Sequence, residues 1–300
     1  MTDAFAAFES HIFDTGTVQI HYRRGGSGPP VLLLHGFPET HLMWHRIAPL
    51  LARDFTLICP DLRGYGDSGC PDSAPDHGPY SKRALAGDML ALMQSLDFTL
   101  FAIAGHDRGG RVAYRLALDH PGRVSHIAVL DILPTLTVWD RADARLARAF
   151  WPWTLLAQEP PLPETVLTAC AGAVVDAALA GWGSVPSVFP PELRAAYIAQ
   201  LKHPAHAHAI CEEYRAAATL DVAHDENDRR AGKQIGCPLL CLWAKDGPLD
   251  AWYAAAGGPL ALWRDWAKDV RGMAVPGGHF FPEALPEETA RQLRDFLLPA

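Results

Sequence analysis

A carboxylate stands at the centre of a glycine-rich segment between a predicted strand and a predicted helix. The apolar run LFAIA precedes residues 105–110, GHDRGG, and VAYRLALDHP follows Arg111. Such a G-x-Nu-x-G turn is a nucleophile elbow, whose glycines allow a sharp bend that presents the middle side chain to a pocket. Here that side chain is Asp107, a carboxylate that can displace a leaving group from an sp3 carbon and form an alkyl ester. GxDxG alone also fits an ordinary glycine turn.

Other motifs supply the groups that hydrolysis of such an ester needs. HGFPE follows the apolar run VLLL. DLRGYGDS follows the run at residues 55–59, and PGGH follows the run at residues 273–275. We predict that the backbone amides of Phe37 and Arg108 stabilise the oxyanion, and that His279 activates the attacking water. The order of these motifs makes a chance glycine turn improbable.

An acid is needed to orient His279 and to stabilise its imidazolium form. Two aspartates compete for this role. Asp131 follows the run HIAVL, and Asp246 follows LWAK after the next run. Their spacing alone leaves both open.

Two arginines lie close behind the predicted nucleophile. Arg108 and Arg111 are three residues apart at a helix N-terminus, a spacing that puts both on one face. Two guanidiniums there could clamp a substrate carboxylate with bidentate geometry and the help of the helix dipole. The alternative is that the arginines bridge to acidic residues of an inserted segment.

The elements that position these groups alternate between strand and helix. This alternation predicts an α/β fold with a doubly wound, mostly parallel sheet covered on both faces. Strands are predicted at 31–34, 55–59, 100–104, 126–130, 239–243 and 273–275, and helices at 41–52, 81–96, 111–119 and 286–298.

The alternation breaks after about residue 134 and resumes near residue 237. The intervening sequence is helical in pattern, rich in Trp and punctuated by Pro. We therefore predict a core domain formed by residues 1–134 and 231–300, with a helical cap inserted at 135–230.

Composition limits the partners. The formal net charge of -8 disfavours a nucleic-acid binder, and no segment predicts a signal peptide or a membrane helix, so we expect a cytoplasmic protein with no membrane partner. The six cysteines show no paired CxxC spacing and are predicted to be reduced. His203, His206 and His208 lack accompanying ligands of suitable spacing, so neither a metal nor an organic cofactor is predicted.

Nearly the whole chain resembles the fluoroacetate (haloacetate) dehalogenases, which are relatives of epoxide hydrolases and haloalkane dehalogenases. The motifs that carry this resemblance are HGFPE, DLRGYGDS, GHDRGGR, VLDILPT, GWG, YRA and PGGHFF. It implies the α/β-hydrolase fold and hydrolysis of a haloacetate to glycolate and halide through an ester on Asp107. It also favours Asp131 over Asp246 as the triad acid.

The same resemblance implies a substrate pocket. Arg108 and Arg111 would hold the carboxylate of a small haloacid, Trp153 and Tyr214 would donate to the departing halide, and Trp182 would line the pocket. The family has a histidine before the tryptophan in a W-H-W segment, whereas this chain reads WPW with Pro152. Because proline has no donor, we expect chloroacetate and bromoacetate to be favoured over fluoroacetate.

Two rival functions remain. An epoxide hydrolase would need a second cap tyrosine within 150–158, where the sequence has none, and usually carries Trp in place of Arg108. A non-catalytic small-molecule-binding relative would bind its ligand without turnover. A homodimer is the assembly considered, and the sequence does not decide it.

Overall fold

Apolar runs of the sequence form the parallel strands at the centre of the structure, a computed structural model that describes residues 5–298. The first four and last two residues of the predicted core domain lie outside the described residues. The strands are β1 (Glu9–Asp14), β2 (Gln19–Gly26), β3 (Pro30–Leu34), β4 (Thr56–Pro60), β5 (Phe101–His106), β6 (Val124–Leu130), β7 (Leu239–Ala244) and β8 (Val270–Val275). They form one sheet in the order β1-β2-β4-β3-β5-β6-β7-β8.

Strands β3 to β8 pair in parallel, and β1 and β2 form an antiparallel edge. The predicted fold class is confirmed. The helices of the core are α1 (Ala48–Leu51), α2 (Lys82–Ser95), α3 (Asp107–Asp119), α12 (Pro248–Trp252), α13 (Gly258–Arg264), α14 (Phe281–Ala284) and α15 (Pro286–Leu297), with short 3-10 helices at His41–His45, Gly78–Tyr80 and Ala254–Ala256.

The sheet is buried because alternate side chains of its strands enter two different cores. Leu32 and Leu34 of β3 pack in the core that includes α2, α3 and α13. Val31 and Leu33 pack in the core that includes α1 and α15. All four side chains are fully buried, which contributes about 1.5–3 kcal/mol each to folding.

Between β6 and β7 the chain is helical. This segment comprises α4 (Thr135–Trp139), α5 (Ala144–Ala149), α6 (Trp151–Leu155), α7 (Leu162–Ala169), α8 (Ala171–Gly181), α9 (Pro191–Lys202), α10 (Pro204–Ala218) and α11 (Leu220–Arg230), with a 3-10 helix at Pro186–Val188. No single helix in the described part of the chain is long and apolar enough to cross a membrane, and α7 with α8 meets that test only as a pair bent by 90°.

Candidate active site

The predicted elbow joins β5 to α3 at the carboxyl end of the sheet, where ligand sites of such sheets form. Asp107 is the first residue of α3 and has a φ of 42°, a left-handed conformation that is strained for a residue with a side chain. A Cβ on Gly105 would lie 2.4 Å from the Gly109 carbonyl oxygen, and a Cβ on Gly109 would lie 2.5 Å from that of His35. Glycine is therefore required on both sides of Asp107.

The Asp107 carboxylate is nearly buried and held by the HGFPE loop. The Phe37 backbone N–H donates to its Oδ2 at 3.0 Å, and a Cβ on Gly36 would lie 2.5 Å from its Cβ. Burial alone would raise the pKa of Asp107, but the nearby charges of His279 and Arg108 outweigh it and lower the pKa. The carboxylate is thus ionised at neutral pH.

The predicted base contacts one of the two candidate acids. His279 Nδ1 lies 2.7 Å from Asp131 Oδ2, and Asp131 Oδ1 accepts the backbone N–H of Ala244 at 2.9 Å. Asp246 is exposed and its backbone N–H donates to Asp250. The structure therefore brings Asp131, and not Asp246, to His279.

An internal cavity contains the predicted catalytic side chains. Its lining consists of Asp107, Arg111, Asp131, Leu133, Val138, Phe150, Pro152, Trp153, Trp182, Tyr214, Leu249, Tyr253 and His279. Its volume is about 30 Å³, and roughly 10–15 Å³ holds one water on this measure, so it suits a ligand of only a few heavy atoms.

The two arginines have different surroundings. Arg111 lines the cavity, donates from Nη1 to the Leu133 carbonyl oxygen at 2.8 Å, and packs its Cζ 4.4 Å from the Trp153 ring centroid. It forms no ion pair with any residue of the described chain. Its side chain is therefore a buried cation beside Asp107 that has room for an anion.

Arg108 does not line the cavity, so the expected clamp of two arginines is not preformed. Its Nε donates to Glu213 Oε1 at 2.9 Å, and its Cζ lies 4.0 Å from the Tyr214 ring centroid. Its Nη1 is buried without a hydrogen-bond partner. Arg108 therefore forms the bridge to an acidic residue of the inserted segment that was the alternative prediction. Arg111 lines the cavity, as expected.

The predicted halide donors lie in the cavity wall. Neither the Tyr214 hydroxyl nor the Trp153 indole N–H has an acceptor among the described residues, and burial raises the pKa of Tyr214 well above its ordinary value. The Trp182 indole N–H is already donated to the Ala149 carbonyl oxygen at 2.6 Å, while its ring packs against His279. Tyr214 and Trp153 can therefore donate to a ligand, and Trp182 only shapes the wall.

Comparison with known proteins fits this geometry. A family model described as the alpha/beta hydrolase fold matches residues 29–281. A fluoroacetate dehalogenase from a Burkholderia species is 43% identical over 99% of this chain and 96% of its own length. This chain belongs to the fluoroacetate dehalogenase-like family of α/β hydrolases.

Other relatives of this α/β hydrolase carry different descriptions. A soluble epoxide hydrolase from Corynebacterium sp. (strain C12) is 29% identical over 94% of each chain. A crystal structure of a Nostoc sp. PCC 7120 protein described as an α/β hydrolase has a TM-score of 0.93 and 46% identity, covering 99% of this chain and 100% of that one.

Sequence reasoning missed two groups that support the site of this hydrolase. His106 lies 2.8 Å from Glu39 Oε2 through Nδ1 and 2.9 Å from the His279 carbonyl oxygen through Nε2. Burial alone would lower the pKa of His106, but Glu39 raises it to about 9. His106 is therefore an imidazolium that ties the elbow to the loops that carry Glu39 and His279.

The second missed group surrounds Glu213 on α10. Its carboxylate accepts from Arg108, from the Tyr65 hydroxyl at 2.6 Å, and pairs with Lys82 Nζ at 2.5 Å. Burial alone would raise the pKa of Glu213, but Arg108 and Lys82 lower it to about 2. The side chain next to Tyr214 is thus an anion held by two hydrogen-bond donors and an ion pair with Lys82, which a charge pattern read along the sequence does not reveal.

Proposed function

We propose that this hydrolase dehalogenates short 2-haloacids, converting a haloacetate and water to glycolate and halide. The observation that carries the proposal is the buried Arg111 guanidinium, which lines the cavity together with Asp107 and forms no ion pair with a carboxylate of the described chain. A small anion with a leaving group on its α carbon would satisfy that charge and present the carbon to Asp107. The cavity volume of about 30 Å³ fits a ligand of this size.

The first step is displacement at the halogen-bearing carbon. Because Phe37 holds Oδ2, the other oxygen of Asp107 attacks that carbon, forms the C–O bond of an ester, and breaks the carbon–halogen bond. The bonding electron pair leaves with the halide, toward the N–H of Trp153 and the hydroxyl of Tyr214. Arg111 holds the substrate carboxylate throughout.

The second step is hydrolysis of the ester. His279 removes a proton from water, whose oxygen attacks the Asp107 carboxyl carbon, and Asp131 stabilises the imidazolium that results. The developing negative charge falls on the oxygen that Phe37 already contacts, and we assign the second oxyanion donor to the Arg108 amide. Collapse breaks the ester C–O bond, and the departing glycolate oxygen takes the proton from the His279 imidazolium. The proton of the added hydroxyl is lost to solvent, which regenerates the Asp107 carboxylate. In this scheme residues 135–230 act as a cap, since Trp153, Trp182 and Tyr214 complete the cavity.

The ester intermediate provides the direct test. Wild-type enzyme should release free halide from chloroacetate and bromoacetate, and the same assay should be run on fluoroacetate, a chloroalkane and a simple epoxide. His279→Ala should stop at the ester, so mass spectrometry after exposure to chloroacetate should find a carboxymethyl group on the peptide that contains Asp107. If the wild type turns over chloroacetate but the Asp107 peptide of His279→Ala stays unmodified, this mechanism is excluded.

Epoxide hydrolysis is a second candidate because of one further residue. Tyr253, which follows β7, lines the cavity together with Tyr214, and its hydroxyl has no acceptor among the described residues. Two hydroxyls could protonate the oxygen of an opening epoxide. Diol formation without halide release in the panel would favour this candidate.

A further inference from the structure

A second cavity lies on the outer side of Tyr253, and we call it the outer vestibule. Its volume is about 150 Å³, and its polar and aromatic lining consists of Arg141, Asp143, Arg145, Trp252 and Tyr253. Arg141 and Asp143 lie just before α5, and Arg145 lies within it. The vestibule therefore forms where the inserted segment meets the segment after β7.

Tyr253 separates the vestibule from the catalytic cavity, because its side chain lines both. The charges of Arg111 on the inner side and Arg141 on the outer side both act on its hydroxyl. A second wall residue repeats this arrangement: Phe150 lines the catalytic cavity and packs against Trp252 of the vestibule, with ring centroids 5.3 Å apart. One layer of aromatic side chains thus lies between the two cavities.

The vestibule opens toward solvent past more positive charge. Arg145 and Trp252 also line a wide surface depression with Arg148. Arg145 pairs with Asp143 at 2.7 Å, but neither Arg141 nor Arg148 forms an ion pair within the described residues. Both of these unpaired arginines are exposed. The path from solvent to Arg111 is therefore lined by more cationic than anionic side chains, in a protein whose net charge is -8.

We propose that the outer vestibule is an anion-binding site through which a small carboxylate reaches Arg111, with Arg141 as its main unpaired charge. This proposal rests on the proposed function, since it takes the haloacid as the ligand. Attraction by fixed charges raises the local concentration of an anion and is weakened by salt. It therefore changes KM for an anionic substrate and leaves kcat unchanged.

Two substitutions of opposite charge test the proposal. Arg141→Gln removes a positive charge and should raise KM for chloroacetate about two- to fourfold at ~0.01 M ionic strength. Asp143→Asn removes the negative charge that pairs with Arg145 and should lower KM by a similar factor. Asparagine can still accept the N–H groups of Arg145 and Leu146 that Asp143 caps, so α5 keeps its N-cap.

Salt and a remote variant provide the controls. Both changes in KM should shrink toward none at ~1 M salt, where charges are screened beyond about 3 Å. Arg53→Gln changes the net charge as Arg141→Gln does, but at an exposed residue that precedes β4, and it should not change KM for chloroacetate. If wild type turns over chloroacetate but Arg141→Gln and Asp143→Asn match Arg53→Gln, or both change KM in the same direction, the vestibule proposal is wrong. If wild type releases no halide, the proposed function fails and the vestibule loses its ligand with it.

Discussion

At the scale of single residues, Arg111 has the most direct connection to substrate choice. Its guanidinium is buried, and burial together with the Arg108 charge lowers its pKa, so it is a cation held at a cost in solvation. An anionic ligand would offset that cost, whereas a neutral ligand of the same shape would not. The carboxylate of a haloacid therefore contributes to binding through this one contact.

Arg111→Ala should accordingly reduce kcat/KM for chloroacetate far more than for the neutral chloroacetamide. Loss of a charge-assisted hydrogen bond is worth about 1.5–3 kcal/mol, which corresponds to roughly ten- to a hundredfold. Steady-state halide release measures both substrates under one set of conditions. Equal losses on the two substrates would show that Arg111 supports the fold and does not select a carboxylate.

Pro152 bears on the choice of halide. It lines the cavity directly before Trp153 and has no donor to offer. We assign the departing ion to the Trp153 N–H and the Tyr214 hydroxyl, although the Tyr253 hydroxyl also lines the cavity. Fluoride, as the poorest leaving group among the halides, depends most on donors that strengthen in the transition state. Without the histidine that the family has at the position of Pro152, the barrier for fluoroacetate should be about 1–3 kcal/mol higher relative to chloroacetate.

Pro152→His should therefore raise the rate with fluoroacetate relative to chloroacetate. Single-turnover halide release at saturation is the measurement, because it isolates displacement from product release. Pro152→Ala is the matched control, since it also frees the backbone at the start of α6 and adds no donor. An equal gain from Pro152→Ala would assign the effect to the backbone.

At the scale of elements, the Glu213 cluster joins α10 to the core. It links that helix to α2 through Lys82 and to the start of α3 through Arg108, while Tyr214 beside it faces the cavity. Removing one partner of a buried ion pair leaves a charge without compensation, which typically costs 3–5 kcal/mol. The cluster should therefore control both stability and the position of Tyr214.

A double-mutant cycle on Lys82 and Glu213 tests this role. Glu213→Gln alone should lower the free energy of unfolding by about 3 kcal/mol, because Arg108 loses its anion and Lys82 keeps only Asp221, whose Oδ2 lies 3.7 Å from its Nζ. Lys82→Met should lower the free energy of unfolding less in the Glu213→Gln variant than in the wild type, because in that variant it removes a charge that has lost its Glu213 partner. Urea unfolding of the four proteins gives the coupling, and additive losses would mean that the pair contributes no interaction energy.

The elements also show how far the sequence predicts the structure. Strands β3 to β7 were predictable because buried parallel strands are nearly continuous apolar runs, whereas edge strand β8 (VRGMAV) is half exposed and only its end, 273–275, was predicted. Strands β1 and β2 were missed, because β1 is largely exposed and polar in ESHIFD and β2 reads QIHYRRGG. The helix predicted at 41–52 is a 3-10 helix followed by α1. The helix predicted to begin at Arg111 begins at Asp107, because the elbow itself forms its first turn.

The site was predictable where a motif fixes the local backbone, as at Asp107, Phe37 and His279. Whether Asp131 or Asp246 contacts His279 depends on how loops from different strands meet, and spacing could not decide it. Arg108 was expected in the pocket because its position on α3 favours it. Its partner Glu213 lies 105 residues away in the sequence, so their pairing is a property of the folded chain.

At the scale of the whole molecule, His106 connects three segments that are distant in sequence. It belongs to the end of β5, while Glu39 follows β3 and His279 follows β8. Glu283 of α14 extends the network: burial and the adjacent Glu39 charge raise the pKa of Glu283 well above its ordinary value, and its Oε1 accepts from Tyr197 of α9. The loops of the site and the inserted segment are thus joined by one buried polar network.

This network makes stability depend on pH. The pKa of His106 is about 9 in the folded protein, against about 6.5 for an unfolded histidine. The folded state therefore binds the proton more tightly, and the stabilisation is complete below about pH 6.5 and is lost as the pH rises through about 9. Its size is on the order of 3 kcal/mol.

His106→Gln removes the group that titrates and keeps polar atoms at the position. The difference in unfolding free energy between wild type and this variant should be largest near pH 6 and should shrink steadily toward about pH 9.5. Groups away from His106 also change stability with pH, but they are present in both proteins and largely cancel in the difference. Urea unfolding across this range measures it. A His106→Gln deficit that stays constant across the range would mean that His106 is neutral in the folded protein, and that Glu39 accepts one ordinary hydrogen bond from it.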